Sequence, residues 1–146
     1  MHAYADSSFI VSLYIPEPVR TPRAIGYMEN SREALPFTPI HRLEVRNAIR
    51  LLVWSKRISA TDRSRALKEI EEDLDAEVFL IHTPINYTDS NRQAEKLGSA
   101  HTEKIGCRSA DLFHVAVAVE LGFKQFLSFD GKQIELARAA GLKVDF

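Results

Sequence analysis

Short apolar bursts alternate with longer amphipathic stretches along the whole chain. "HAYADSS" predicts a strand that ends at an acid, Asp6, and "SSFIVSLYI" predicts a helix opened near Ser7 or Ser8. Pro16, Pro18 and Pro22 are expected to stop regular structure, with a helix of mixed polarity over about 23–35. A short strand is expected at Leu35–Thr38, and Pro39 suits the first turn of a long helix. Val45, Ala48, Ile49 and Leu52 recur along that helix at helical spacing. "TDRSRALKEIEEDLDAE" is expected to be a helix capped by Thr61 or Asp62, with Ala66, Leu67, Ile70 and Leu74 on its apolar face. "VFLIHTP" predicts a strand ended by Pro84. "SNRQAEKLGSAHTEKIG" predicts a helix broken near Gly98, and "RSADLFHVAVAVELG" a central buried helix. "FKQFLSF" is expected to be a strand, "DGKQIELARAAG" a turn and helix, and "LKVDF" a last edge strand. Strands alternating with helices predict an α/β class: three α/β/α layers on a central, mostly parallel sheet, with residues 1–146 as one domain.

Composition narrows the classes. Hydrophobic residues make up 45% of the chain and charged residues 27%, which is ordinary globular usage. A net charge of -1 argues against a globally basic nucleic-acid surface, although a basic rim around an acidic centre is compatible with it. The single cysteine, Cys107, rules out an internal disulfide and a cysteine-rich zinc knuckle, and is expected to pack in the core. No apolar run reaches membrane-spanning length and no leader pattern opens the chain, so a cytoplasmic protein is expected. Trp54 and the phenylalanines are expected in the core, because no spaced aromatic platform for bases is visible.

Four acids fall at element ends or beside buried helix faces. In a parallel sheet, ligands bind beyond the carboxyl ends of the strands. Asp6 follows the first strand and Asp130 follows "FLSF". Glu44 precedes Val45 on the long helix, and Asp111 opens the most apolar helix, three residues before His114. Each has a plain structural alternative: Asp6 and Asp111 as helix caps, Glu44 as an arginine partner, Asp130 as a turn acid before Gly131. Converging carboxylates repel one another, and a hard divalent cation such as Mg²⁺ or Mn²⁺ relieves that repulsion through oxygen ligands. The chemistry that follows is phosphodiester hydrolysis. His114 is set between donating to a carboxylate and packing its helix; His41, His82 and His101 lack zinc spacing. Arg42, Arg46 and Arg50 form a stripe, but two residues turn a helix by about 200°, so the stripe faces away from Glu44. Lys104 and Arg108, nearer Asp111 in the chain, are better candidates for phosphate contact.

"YADSS", "LEVRNAI", "RSADLFHVAVAVELG" and "FLSFDGKQIELARAAGLKV" together resemble PIN-domain ribonucleases, and more narrowly VapC-type toxins of toxin–antitoxin pairs. The resemblance covers essentially the whole chain. It implies that Asp6, Glu44, Asp111 and Asp130 bind the metal, Asp130 through water, with Ser8 and Ser128 in support. It further implies an endoribonuclease acting on transfer or other structured RNA, a cognate antitoxin protein and a homodimer. The segment around residues 15–22 matches no motif of that family. The alternative is a non-catalytic RNA- or protein-binding module that keeps the acidic pocket. A phosphatase with an acid two residues after a nucleophilic aspartate is disfavoured, since that position is Ser8. Nucleotide-cofactor binding is disfavoured because no glycine fingerprint follows the first strand.

Overall fold

The structure is a computed structural model and describes residues 2–146. In chain order the elements are β1 (Ala3–Ala5), α1 (Ser7–Tyr14), α2 (Arg20–Ser31), β2 (Leu35–Phe37), α3 (Pro39–Trp54) and α4 (Ala60–Ala76). Then come β3 (Leu80–His82), α5 (Tyr87–Ile105), α6 (Ser109–Glu120), β4 (Gln125–Leu127) and α7 (Gly131–Ala139). They form two compact units. One comprises the chain up to Asp6 together with Pro84–Phe146; the other is Ser7–Thr83.

The first unit is built on β1 and β4, which pair in parallel with Ala3 opposite Gln125, Tyr4 opposite Phe126 and Ala5 opposite Leu127. Every residue of β1 is buried, which is why its apolar-polar alternation is weak. Tyr4 is the centre of an aromatic cluster: its ring stacks on Phe126 at 5.7 Å and tilts against Phe123 at 5.9 Å. Helix α6 is buried continuously from His114 to Ala118, as an all-round apolar helix must be. Helix α5 runs unbroken through Gly98. The glycine is there for close packing, not for a break: a Cβ at that position would lie 3.2 Å from Leu112 Cδ1. The expected last strand is a single bridge from Lys143 to Gln125.

The second unit pairs β2 with β3 in parallel, Leu35 opposite Leu80 and Phe37 opposite His82. Helix α2 starts at Arg20, earlier than the prolines suggest. Pro22 sits in its first turn, where the missing N–H has no helical partner to lose. The cap of α4 is Ser59, not Thr61 or Asp62; Asp62 instead returns a bond to the Ser59 backbone from the third helical position. Helix α3 is entered through Thr38, whose side chain accepts from the His41 N–H while His41 Nδ1 accepts from the Thr38 N–H. Thr38 and His41 are both buried, and the His41 ring stacks on Phe37. Replacing Thr38 by Ala is expected to cost about 1–2 kcal/mol, because the cap and a buried partner of His41 go together. A urea unfolding curve with a lower midpoint and unchanged slope checks this.

The arginine stripe of α3 has a structural use. Arg42 Nη1 lies 3.1 Å from Glu71 Oε1 on α4, and Arg46 pairs with the same oxygen. Trp54, expected in the core, is 81% exposed at the end of α3. It falls outside the buried face set by His41, Val45 and Ile49, which ends a turn earlier.

Candidate functional site

Parallel pairing explains how two of the acids come together. With Ala5 opposite Leu127, the next residues, Asp6 and Ser128, leave the same end of the strand pair. The Asp6 N–H donates to Leu127 O at 3.0 Å, carrying the ladder one step further. Ser128 Oγ then donates to Asp6 Oδ2 at 2.5 Å. Asp6 is 4% exposed and Ser128 2%, so this bond is made out of bulk water. A buried carboxylate is costly unless hydrogen-bonded, and Ser128 supplies one such bond.

The same hydroxyl reaches the next acid. Ser128 Oγ accepts from the Asp130 N–H at 2.9 Å. Asp130 is the N-cap of α7, and its Oδ1 accepts from the Gln133 N–H at 3.0 Å. The Gln133 side chain carries the connection onward, with Nε2 donating to Asp111 Oδ1 at 3.3 Å. Asp111 Oδ2 accepts from the Arg108 N–H at 3.1 Å, which closes the first turn of α6. Three of the expected acids are therefore joined in one hydrogen-bonded chain, Asp6–Ser128–Asp130–Gln133–Asp111, within a single unit. Asp130, expected as a turn acid, caps α7, and Asp111, expected as the N-cap of α6, stands instead at its third position and accepts from the N–H of the N-cap residue Arg108; each occupies one carboxylate oxygen with a backbone N–H of its own helix end.

Glu44 lies in the other unit, half-buried on α3, where Ser7 Oγ donates to its Oε1 at 3.0 Å. Ser8, also in that unit, is exposed beside Val11, Ser12 and Ile15 on the wall of a cavity of about 340 Å³. His114 is 2% exposed and its Nδ1 lies 2.8 Å from the Tyr4 hydroxyl, which ties it to the aromatic core. Lys104 closes the last turn of α5 and Arg108 precedes α6, and both are exposed. Cys107 is buried, and burial, then the nearby Asp111 and Glu135 carboxylates, push its thiol pKa up. It is therefore a poor nucleophile.

Sequence reasoning missed Gln133. The signal was available, since an acid followed three residues later by Gln at a helix start is the spacing of a reciprocal cap. The side chain turns to Asp111 instead of back to Asp130, which spacing does not disclose.

The donors of the chain are all oxygen: three carboxylates, a hydroxyl and an amide carbonyl. That set suits a hard cation such as Mg²⁺ or Mn²⁺ and is wrong for a thiolate or imidazole site. Among the described residues no three His, Cys, Asp or Glu side chains form a ready-made ion cage. Mg²⁺ is commonly held by one or two carboxylates with waters and substrate phosphates, so the fit to this ion is kept. A buried oxygen points the same way: among the described residues Gln133 Oε1 has no hydrogen-bond partner.

Comparison with solved structures gives the fold. The crystal structure of FitAcB from Neisseria gonorrhoeae matches with a TM-score of 0.62 at 15% identity, over 99% of this chain and 96% of that one. The fold class is α/β, on a PIN-like α/β/α plan. No family model and no curated protein matches the chain. The sequence resemblance to VapC-type PIN-domain toxins is corrected accordingly: at 15% identity the likeness carries a fold and no family membership.

Proposed function

We propose that the protein is a Mg²⁺- or Mn²⁺-dependent endoribonuclease that hydrolyses RNA phosphodiester bonds, acting as the toxin of a pair with a protein antitoxin. The observation that carries the chemistry is the hydrogen-bonded chain joining Asp6, Asp130 and Asp111 through Ser128 and Gln133. Support for the toxin role and its antitoxin is the fold held in common with FitAcB.

Asp6 and Asp111 would be the principal ligands, with Asp130 acting through water. Glu44 joins the set on the sequence reasoning alone. When bound, the cation would acidify a water and neutralise charge on the phosphate. The protein's own part is orientation. Ser128 fixes the rotation of the Asp6 carboxylate and the position of the Asp130 backbone, and the cap of α6 fixes Asp111. Lys104 and Arg108, exposed on either side of the α5–α6 turn, would meet phosphates and slow the release of a strand. Among the described residues no helix is long and apolar enough to cross a membrane.

The test is incubation of the purified chain with an unpaired RNA oligonucleotide and with a transfer RNA, in Mn²⁺, in Mg²⁺ and in excess chelator. Discrete internal cuts in either metal, abolished by chelator, are the expected result. Binding of RNA without any cleavage in either metal would overturn the reading.

A further inference from the structure

We propose that Gln133 is a positioning residue of the acid centre and its neutral oxygen donor, presenting Oε1 to the water shell of the bound cation. This rests on the metal-dependent reading above. Gln133 is 5% exposed, and a glutamine buried this deeply is retained only if its amide is satisfied. Half of that condition is met by the protein: Nε2 donates to Asp111 Oδ1 at 3.3 Å. The other half is not, because Oε1 is buried with no partner among the described residues. Leaving a buried carbonyl oxygen dry carries the full desolvation penalty of that group. Hydration by a donor that arrives with the ligand removes that cost.

The amide cannot relieve itself by turning over. Exchanging Nε2 and Oε1 would set a carbonyl oxygen against the Asp111 carboxylate, two acceptors with no proton between them. The orientation is thereby fixed by Asp111, and the unmet group is an acceptor. An acceptor beside two carboxylates calls for a proton donor or a cation, and a hydrated divalent ion is both. Its waters carry polarised O–H groups, and Mg²⁺ characteristically keeps several of them. The backbone of the same residue already holds Asp130, so one residue spans two of the acids and offers the extra oxygen.

The experiment measures Mn²⁺ binding to the full chain by calorimetry, with thermal unfolding of the metal-free protein in parallel. Gln133→Met keeps the length of the side chain and removes both polar atoms; Gln133→Glu keeps the oxygen and loses the donor. Gln133→Met is expected to weaken Mn²⁺ about tenfold, in the range of outer-sphere ligand changes, while Gln133→Glu binds at least as tightly as the unaltered chain. Equal binding by Gln133→Met and the unaltered chain overturns the inference and leaves the metal reading standing. Equal weakening in both variants also overturns it, because the residue would then only hold Asp111 in place. Absence of Mn²⁺ binding by the unaltered chain sinks the metal reading itself, and the inference with it. Should Gln133→Met lose its cooperative unfolding transition, Gln133→Asn, which withdraws the amide by one methylene, is read by the same criteria.

Discussion

Asp6→Asn is expected to lower metal-dependent RNA cleavage by at least about a hundredfold, since losing a direct ligand should exceed the usual cost of an outer-sphere change. The metal-free protein should keep its stability. Asn is the same size, and its Oδ1 can still accept from Ser128 Oγ, so the bond that ties the carboxyl ends of β1 and β4 survives. What disappears is a negative charge buried to 4% exposure. If that charge exists to hold a cation, its removal relieves desolvation in the metal-free state and abolishes the rise in melting temperature on adding Mn²⁺. Two measurements therefore separate the roles: cleavage rate in saturating Mn²⁺, and unfolding midpoint with and without the ion. Cleavage at the unaltered rate would remove Asp6 from the chemistry. Lost cleavage together with a large fall in metal-free stability would make it a structural carboxylate.

The pieces of this site were unequally visible from the sequence. Asp6 and Asp130 were legible as acids just past predicted strands, a position they share with ordinary caps and turns, and the parallel register brings the two strand ends together. Asp111 was legible as the acid opening an all-apolar helix. The pairing of β1 with β4, separated by most of the chain, is a tertiary fact that local periodicity does not contain. The same holds for the hub role of Ser128, whose hydroxyl serves two acids at once. Gln133 carries no signal of its own in the sequence beyond its spacing from Asp130, and joins the hydrogen-bonded chain because its side chain reaches Asp111 on α6. Helix ends are ambiguous in the sequence where several capping residue types stand close together. Ser59, Thr61 and Asp62 are all capping types, and the reciprocal bonds between Ser59 and Asp62 decide among them. Residue type alone predicts a core position for Trp54, and the helix phase puts it in solvent.

The second large effect is on the platform beneath the acids. Phe126→Ala is expected to destabilise the unit formed by the chain up to Asp6 and Pro84–Phe146 by about 3–5 kcal/mol. Phe126 is fully buried, stands opposite Tyr4 in the strand register and stacks on its ring at 5.7 Å with 20° between planes. Strands of three residues supply few ladder bonds, so the pairing of β1 with β4 depends on the side chains packed across it. Truncation leaves a cavity beside the Tyr4 ring, in the buried cluster that also holds Leu136 and Ala137, that neither strand can close without losing register. Since total stabilities are about 5–15 kcal/mol, a loss of this size populates the opened strand pair. Asp6 and Ser128 are the residues that follow those strands, and Mn²⁺ uptake should fall with them although neither is altered. Phe126→Leu, which keeps most of the volume, should cost less than about 1.5 kcal/mol and leave ion binding in place. Hydrogen exchange at the Ala3–Ala5 and Gln125–Leu127 amides reads the opening directly, alongside the denaturant midpoint. Retention of full amide protection in Phe126→Ala would mean that the strand pair is held by something other than its aromatic core, and that the acids do not depend on it.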